Sequence, residues 1–307
     1  MQELVIATRK SRLALWQSEH VAEALRRAEP GLDVRLLPLS TRGDEVLDRS
    51  LAEIGGKGLF LKELEKALLD GRADIAVHSL KDVPAEQPQG LELGAYLPRA
   101  NPVDLWIGRD GLSLQQLPAG SRVGSSSLRR ISQLRAHRAD LQPVPLRGNV
   151  ETRLAAVGER ADATVLAAAG LERLGVVPED AIALAAPDWL PAPGQGIIVV
   201  QQRAGDAPVG ERVARLACRR TTVQAMAERE VVRALGGDCT MPLAAHAFVE
   251  DERVRLLARL GDEGGALIDA EATGAVGDAQ RLGREAADRL LQCGGRELLE
   301  RLDPSRS

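Results

Sequence analysis

Residues 3–39, ELVIATRKSRLALWQSEHVAEALRRAEPGLDVRLLPL, set an apolar run, an amphipathic stretch and a second apolar run end to end. Residues 3–7 (ELVIA) read as a short buried strand. A helix is predicted from about Ser11, because Ala14, Ser18, Val21 and Leu25 recur at 4-3-4 spacing on one face. Pro30-Gly31 ends it. Residues 32–39 read as a second strand whose end is weakened by Pro38. Further along, a helix is expected over 59–70, with Leu61, Leu64 and Leu68 on its inner face. Ile75-Ala76-Val77 is a third buried strand, and it runs straight into His78-Ser79-Leu80-Lys81-Asp82-Val83-Pro84. This strand–helix–strand rhythm implies parallel pairing and a doubly wound α/β domain.

A second copy of the rhythm starts after residue 103: a strand near 121–124, a helix to about 138, a strand over 141–147, a helix, and a strand over 163–167. The crossings at 98–102 (PRANP) and 191–196 (PAPGQG) are rich in Pro and Gly and read as hinges. The second crossing feeds Ile197-Ile198-Val199-Val200, a strand expected to return to the first domain. From about 219 the pattern changes to a helix over 221–235, strands near 243–249, 253–260 and 266–273, and a helix over 278–292. Consecutive strands with tight turns read as an antiparallel sheet. The expected fold is therefore α/β. It has two doubly wound domains with a hinged cleft (1–98 with 197–216, and 103–191) and a smaller α+β C-terminal domain (219–307) carrying a three-stranded antiparallel sheet.

Bulk properties narrow the function. Only 2% of the chain is aromatic, which argues against base-stacking platforms, and a net charge of −4 would repel a phosphate backbone. Nucleic acid is not an expected partner. No run reaches the roughly eighteen apolar residues of a membrane span, and the N-terminus lacks a secretory pattern. Cys218, Cys239 and Cys293 are odd in number and not in CxxC form, which disfavours disulfides and thiolate zinc sites. The four histidines, His20, His78, His137 and His246, have no metal spacing, so no metal and no catalytic role is assigned to them. The protein reads as cytoplasmic.

Loops at the carboxyl ends of strands face the crevice of an open α/β sheet. Here they carry Arg9 and Ser11; Ser79, Lys81 and Asp82; Ser125, Ser126, Ser127, Arg129 and Arg130; and Arg147 with Arg153. Guanidinium forks and hydroxyls near helix N-termini suit a ligand with several carboxylates, and a phosphorylated ligand would use the same donors. Each arginine could equally be a solvated or intradomain ion pair. Gly55-Gly56-Lys57-Gly58 lacks P-loop spacing and reads as a mobile loop in which Lys57 and Phe60 close over the ligand. Asp82 either caps a turn or acts as a carboxylate that stabilises a developing positive charge. Cys239, on the Gly-bounded turn LGGDCTMP, is a candidate nucleophile or attachment point, whereas Cys218 and Cys293 read as small buried hydrophobes.

Taken together, IATRKSRLALWQ, STRGD, GGKGLFLKELE, ADIAVHSLKDVP, PAGSRVGSSSLRR, LRGNVETRL, AAAGLERLG, LPAPGQG and GGDCTMP resemble the porphobilinogen deaminase (hydroxymethylbilane synthase) family, in order and spacing across nearly the whole chain. The resemblance implies two domains built like solute-binding proteins and a dipyrromethane cofactor held as a thioether on Cys239. It implies Asp82 as the catalytic carboxylate and Arg9, Arg129, Arg130, Arg147, Arg153 and Arg173 as carboxylate-binding arginines. Lys81, Ser11, Ser79 and Ser125 to Ser127 match further cofactor or substrate contacts. The implied reaction is a transferase chemistry of tetrapyrrole (haem) biosynthesis. Four porphobilinogen molecules lose ammonia and join head to tail on the bound primer, and water then releases hydroxymethylbilane. The family expectation is a monomer. Two departures stand out: Asp238 precedes the attachment cysteine where the family usually has Gly, and Glu53 stands where it usually has Lys. A non-catalytic, two-lobed anion-binding protein is the alternative reading.

Overall fold

The computed structural model describes residues 3–40, 61–237 and 241–302. The expectations placed on Thr41–Asp44, Glu53, Gly55–Gly58, Phe60, Asp238 and Cys239 lie outside the described residues. The chain divides into two compact units, Met1–Ala100 with Gly196–Thr222 and Asn101–Gln195 with Val223–Ser307.

In the first unit, β1 (Glu3–Arg9), β2 (Asp33–Leu39), β3 (Ile75–Ser79), β4 (Leu91–Tyr96) and β10 (Ile198–Arg203) form one sheet in the order β2-β1-β3-β10-β4. Alternation along β1 decides what covers each face. Leu4 and Ile6 pack with Val21, Ala22 and Leu25 of α1 (Arg12–Ala28), while Val5 and Ala7 pack with Leu64, Ala67 and Leu68 of α2 (Lys62–Leu69). One strand buried on its two faces by two different helices is the doubly wound arrangement that the apolar run implied. Ser11 starts α1 as its N-cap, its hydroxyl accepting from the Ala14 N–H. Pro38 stays within β2, since β2 is an edge strand and one missing N–H can face away from the ladder.

The sheet is mixed, however. β1 runs parallel to β2 and β3, but β10 is antiparallel to both β3 and β4. The second unit repeats the plan with β5 (Asp104–Gly108), β6 (Arg122–Gly124), β7 (Gln142–Val144), β8 (Ala163–Ala167) and β9 (Ile182–Leu184) in the order β7-β6-β8-β5-β9. Here β5 is the antiparallel strand, paired with β8 and β9. In each sheet the fourth position is taken by the strand that follows a chain crossing. Trp106 of β5 packs with Leu134 of α3 (Leu128–His137) on one face. Leu105 and Ile107 meet Leu171 of α5 (Ala168–Leu174) on the other, beside α4 (Val150–Ala155).

The same unit holds the three-stranded antiparallel sheet of β11 (Leu243–Glu250), β12 (Arg253–Gly261) and β13 (Leu267–Ala275). After α6 (Ala207–Ala214) in the first unit, α7 (Arg219–Ala234) leads towards this sheet, and α8 (Ala279–Leu290) and α9 (Arg296–Leu302) follow it. Its core is Ala227 and Val231 of α7, the inward residues of the strands, and Leu282, Ala286 and Leu290 of α8. The Arg259 guanidinium joins β12 to α3 by donating to Gln133 Oε1 (3.1 Å) and to the Asp188 carbonyl (2.8 Å).

Candidate functional site

Most of the described candidate residues lie on the loops and helix starts that follow the parallel strands of each unit; Arg153 lies within α4 and Arg173 at the far end of α5. In the first unit, β1 and β3 are parallel neighbours (Ile6↔Ile75, Ala7↔Ala76), so continuing the register puts Ser79 level with Lys10. The chain leaves β3 in a single 3-10 turn, Leu80–Asp82. Leu80 and Val83 are buried and anchor that turn, the Leu80 N–H donating to the Ile197 carbonyl (3.0 Å) and the Val83 N–H to that of Leu80 (3.0 Å). Between these anchors Asp82 is exposed, and among the described residues its carboxylate has no hydrogen-bond or ion-pair partner. Gln17 of α1 donates to Ser79 Oγ (2.8 Å), fixing the start of the loop to the helix. Arg9, Ser11 and Lys81 are half-buried in the same region. His78, one residue before the loop, is buried and hydrogen-bonded to Gln201. Burial pulls its pKa down to about 4; the Gln201 contact works against that shift and the Arg9 charge adds to it.

In the second unit, Gly124 ends β6, and a Cβ there would meet Leu146 Cδ2 at 2.5 Å and Leu146 Cβ at 3.1 Å, so a larger residue would force Leu146 to move. The Ser125–Ser127 turn follows. Ser125 Oγ accepts from the Ser127 N–H, and Ser126 Oγ both donates to the Leu146 carbonyl and accepts from its N–H (3.2 Å each). The turn is thereby fastened to the segment that carries Arg147. Ser127 caps α3 without a side-chain hydrogen bond. Gly148, with φ +110°, turns the chain into α4, where the Arg153 Nε donates to the Gly148 carbonyl (2.9 Å). Arg173, at the end of α5, is half-buried, and burial lowers its pKa to about 10.

Arg129 and Arg130 show the intradomain alternative. Asp104, wholly buried, accepts from Arg129 Nη1 (2.8 Å), Arg130 Nη2 (2.6 Å), Trp189 Nε1 (2.9 Å) and Gln195 Nε2 (3.0 Å). The two guanidiniums also bond the Leu190 and Val165 carbonyls. Burial opposes the Asp104 charge, but the paired arginines outweigh it and hold the carboxyl well below the usual carboxylate range. Burial lowers Arg129 from its usual range, and Asp104 counters that effect. Two cations nevertheless face one anion, and among the described residues the buried Arg130 Nε has no partner. The reading of Cys293 as a buried hydrophobe is corrected: it is exposed, because the helical turn between α8 and α9 is broken there, with Gly294 at φ +101°. Cys218 is partly buried. The described residues hold no group of three or more His, Cys, Asp or Glu that could ligate a metal, and none of their helices is long and apolar enough to cross a membrane. Sequence reasoning missed Asp104 and Gln201; nothing but a polar residue in an apolar run marked either.

Fold and groups together define a class: an α/β protein whose strand ends present cations, hydroxyls and one bare carboxylate, a donor set suited to a ligand rich in carboxylates. Comparison with known proteins agrees. Residues 4–211 match the family described as "Porphobilinogen deaminase, dipyromethane cofactor binding domain", and residues 222–292 match the "Porphobilinogen deaminase, C-terminal domain". A porphobilinogen deaminase of Xanthomonas axonopodis pv. citri (strain 306) is 54% identical over 304 residues, 98% of this chain and 100% of that protein. One from Xanthomonas campestris pv. campestris (strain B100) has the same identity and coverage, and one from Stenotrophomonas maltophilia (strain R551-3) is 52% identical over 301 residues, 97% and 99% of the two chains. The chain belongs to the porphobilinogen deaminase family.

Proposed function

We propose that this chain is a transferase that condenses porphobilinogen head to tail, releasing ammonia at each addition and finally yielding hydroxymethylbilane. The observation that carries the mechanism is the bare, exposed Asp82 carboxylate on a turn anchored by buried Leu80 and Val83. Positive charge develops on a pyrrole nitrogen as each ring loses ammonia and again as the rings join, and it is discharged when the new ring loses its proton. An ionised Asp82 beside that nitrogen lowers both barriers, and the rigid turn keeps it from reorganising. Each ring also carries two carboxylates, which Arg9, Arg147, Arg153 and Arg173 would neutralise, with Ser11, Ser79 and Lys81 as further donors and Lys57 in the loop outside the described residues.

The family's dipyrromethane fits this donor set. The Arg129–Arg130–Asp104 cluster keeps one net positive charge and an open buried donor at Arg130 Nε, next to the Ser125–Ser127 turn. Cys239 would hold the group as a thioether, and Asp82, Lys81 and the arginines would orient it. When bound, the dipyrromethane would supply the free pyrrole carbon to which the first ring is joined, each later ring joining the one before it. The three domains expected from the sequence are proposed with the bounds 1–98 with 197–216, 103–191 and 219–307, the last two sharing one compact unit. A cytoplasmic monomer acting on a small molecule, with neither nucleic acid nor membrane as partner, is in keeping with a net charge of −4. Purified protein incubated with porphobilinogen should consume it and release hydroxymethylbilane and ammonia. Stable porphobilinogen in the presence of cofactor-loaded protein would leave an anion-binding protein as the better reading.

A further inference from the structure

We propose that Gln201 is a positioning residue for Asp82, its side-chain amide closing a hydrogen-bonded chain that grips the Asp82 loop at both ends. The proposal rests on Asp82 being the carboxylate beside the reacting nitrogen.

Gln201 lies in β10, wholly buried, opposite Ala76 of β3; two residues earlier in β10, Val199 lies opposite His78. Gln201 and His78 therefore share a face of the sheet, the one covered by α2, and sit diagonally across the strand pair. On the upstream side, His78 Nε2 lies 3.0 Å from Gln201 Oε1; an amide oxygen only accepts, so the ring nitrogen must donate. On the downstream side, Gln201 Nε2 donates to Gln87 Oε1 (3.0 Å) and to Glu65 Oε1 of α2 (3.4 Å). Gln87 Nε2 in turn donates to the Pro84 carbonyl (3.1 Å). The bonds run in one direction, His78 to Gln201 to Gln87 to Pro84, with each amide using its oxygen on one neighbour and its nitrogen on the next. His78 immediately precedes Ser79, and Pro84 follows Asp82 by two residues. The loop is thus tied at entry and exit to one side chain, while the Leu80 N–H is held by Ile197, just before β10 begins. Apolar packing would fill the same space without directing the loop. A chain of directional bonds makes the exit depend on the entry, and a shift of about 1 Å at a reacting group can cost up to a hundredfold in rate.

The test uses the full, cofactor-loaded chain in four versions: Gln201→Met, Gln87→Leu, the double variant and Asp82→Asn. Gln87 is half-buried on a loop, so its variant serves even if Gln201→Met folds poorly. Each single Gln variant should lower kcat about tenfold with KM for porphobilinogen within about twofold, and the double variant should lose no more than the worse single, because the members act as one unit. Amide hydrogen exchange at Leu80 and Val83 should quicken about tenfold while that of Ile6 stays unchanged. Unaltered kcat in Gln87→Leu would overturn the proposal. So would losses that multiply in the double variant, or a kcat that falls only in proportion to the folded, loaded fraction. Asp82→Asn separates the two layers: normal turnover there defeats the catalytic reading itself, whereas an inactive Asp82→Asn beside fully active Gln variants defeats only the positioning role.

Discussion

Replacing Asp104 by Asn keeps the shape of the side chain and removes one buried negative charge. In the native arrangement Oδ1 accepts from Arg130 and Gln195, and Oδ2 from Arg129 and Trp189. An asparagine offers one oxygen and one NH₂ group, so whichever way the amide is turned, two of the four donors meet another donor. The larger effect is electrostatic. Arg129 and Arg130, 5% and 7% exposed, would be left as two buried cations without a counter-ion from this site. Removing one partner of a buried pair costs about 3–5 kcal/mol. For a unit of this size that corresponds to a fall in Tm on the order of 10 °C. Trp189 donates directly to Asp104, so tryptophan fluorescence during urea unfolding reports on the cluster itself. Substituting Arg130→Met in the Asp104→Asn background should recover part of the loss, since removing both partners costs less than stranding one. Equal stability of Asp104→Asn and wild type within about 0.5 kcal/mol would refute the argument, because surface substitutions fall in that range.

Three further outcomes are expected. His78 is neutral in the fold with its pKa lowered from 6.5 to about 4, so the unfolded chain takes up a proton first on acidification. Its share of stability is complete above pH 6.5 and declines as the pH falls through 4. That share is about 3 kcal/mol, and His78→Gln should flatten the acid limb of a stability–pH curve in this window. Arg173→Gln should raise KM for porphobilinogen roughly tenfold or more by removing a charged donor, while Arg173→Lys should restore only part of it for want of the planar fork; steady-state kinetics decide this. Cys239→Ser should leave the polypeptide at its bare mass by intact-mass spectrometry, and an adduct in that variant would place the cofactor elsewhere.

Much of the fold was legible because local pattern and burial coincide. The unbroken apolar run of β1, the 4-3-4 spacing of α1 and the successive strands after residue 243 each report what the element buries. What periodicity does not carry is the direction of a partner strand. The antiparallel insertion of β10 between β3 and β4 was therefore invisible, although the strand itself was anticipated. Strands β4, β5 and β9 escaped notice: LELGAY is interrupted by Gly94, DLWIG follows a Pro-rich crossing, and Ile182–Leu184 has only three residues. In the site, the Ser79–Asp82 loop could be read because a buried strand ends directly in it. The engagement of Arg129 and Arg130 could not, since they lie in α3 and their counter-ion lies 25 and 26 residues away at the start of β5. Gln201 and Gln87 are separated by 114 residues, and no local signal joins them.

The most direct test of the central claim is mass spectrometry of the cofactor-loaded chain mixed with limiting porphobilinogen. Wild type should show successive covalent species, each heavier by one porphobilinogen less one ammonia, whereas Asp82→Asn should remain at the mass of the loaded starting protein. Adducts forming in Asp82→Asn as fast as in wild type would contradict the account.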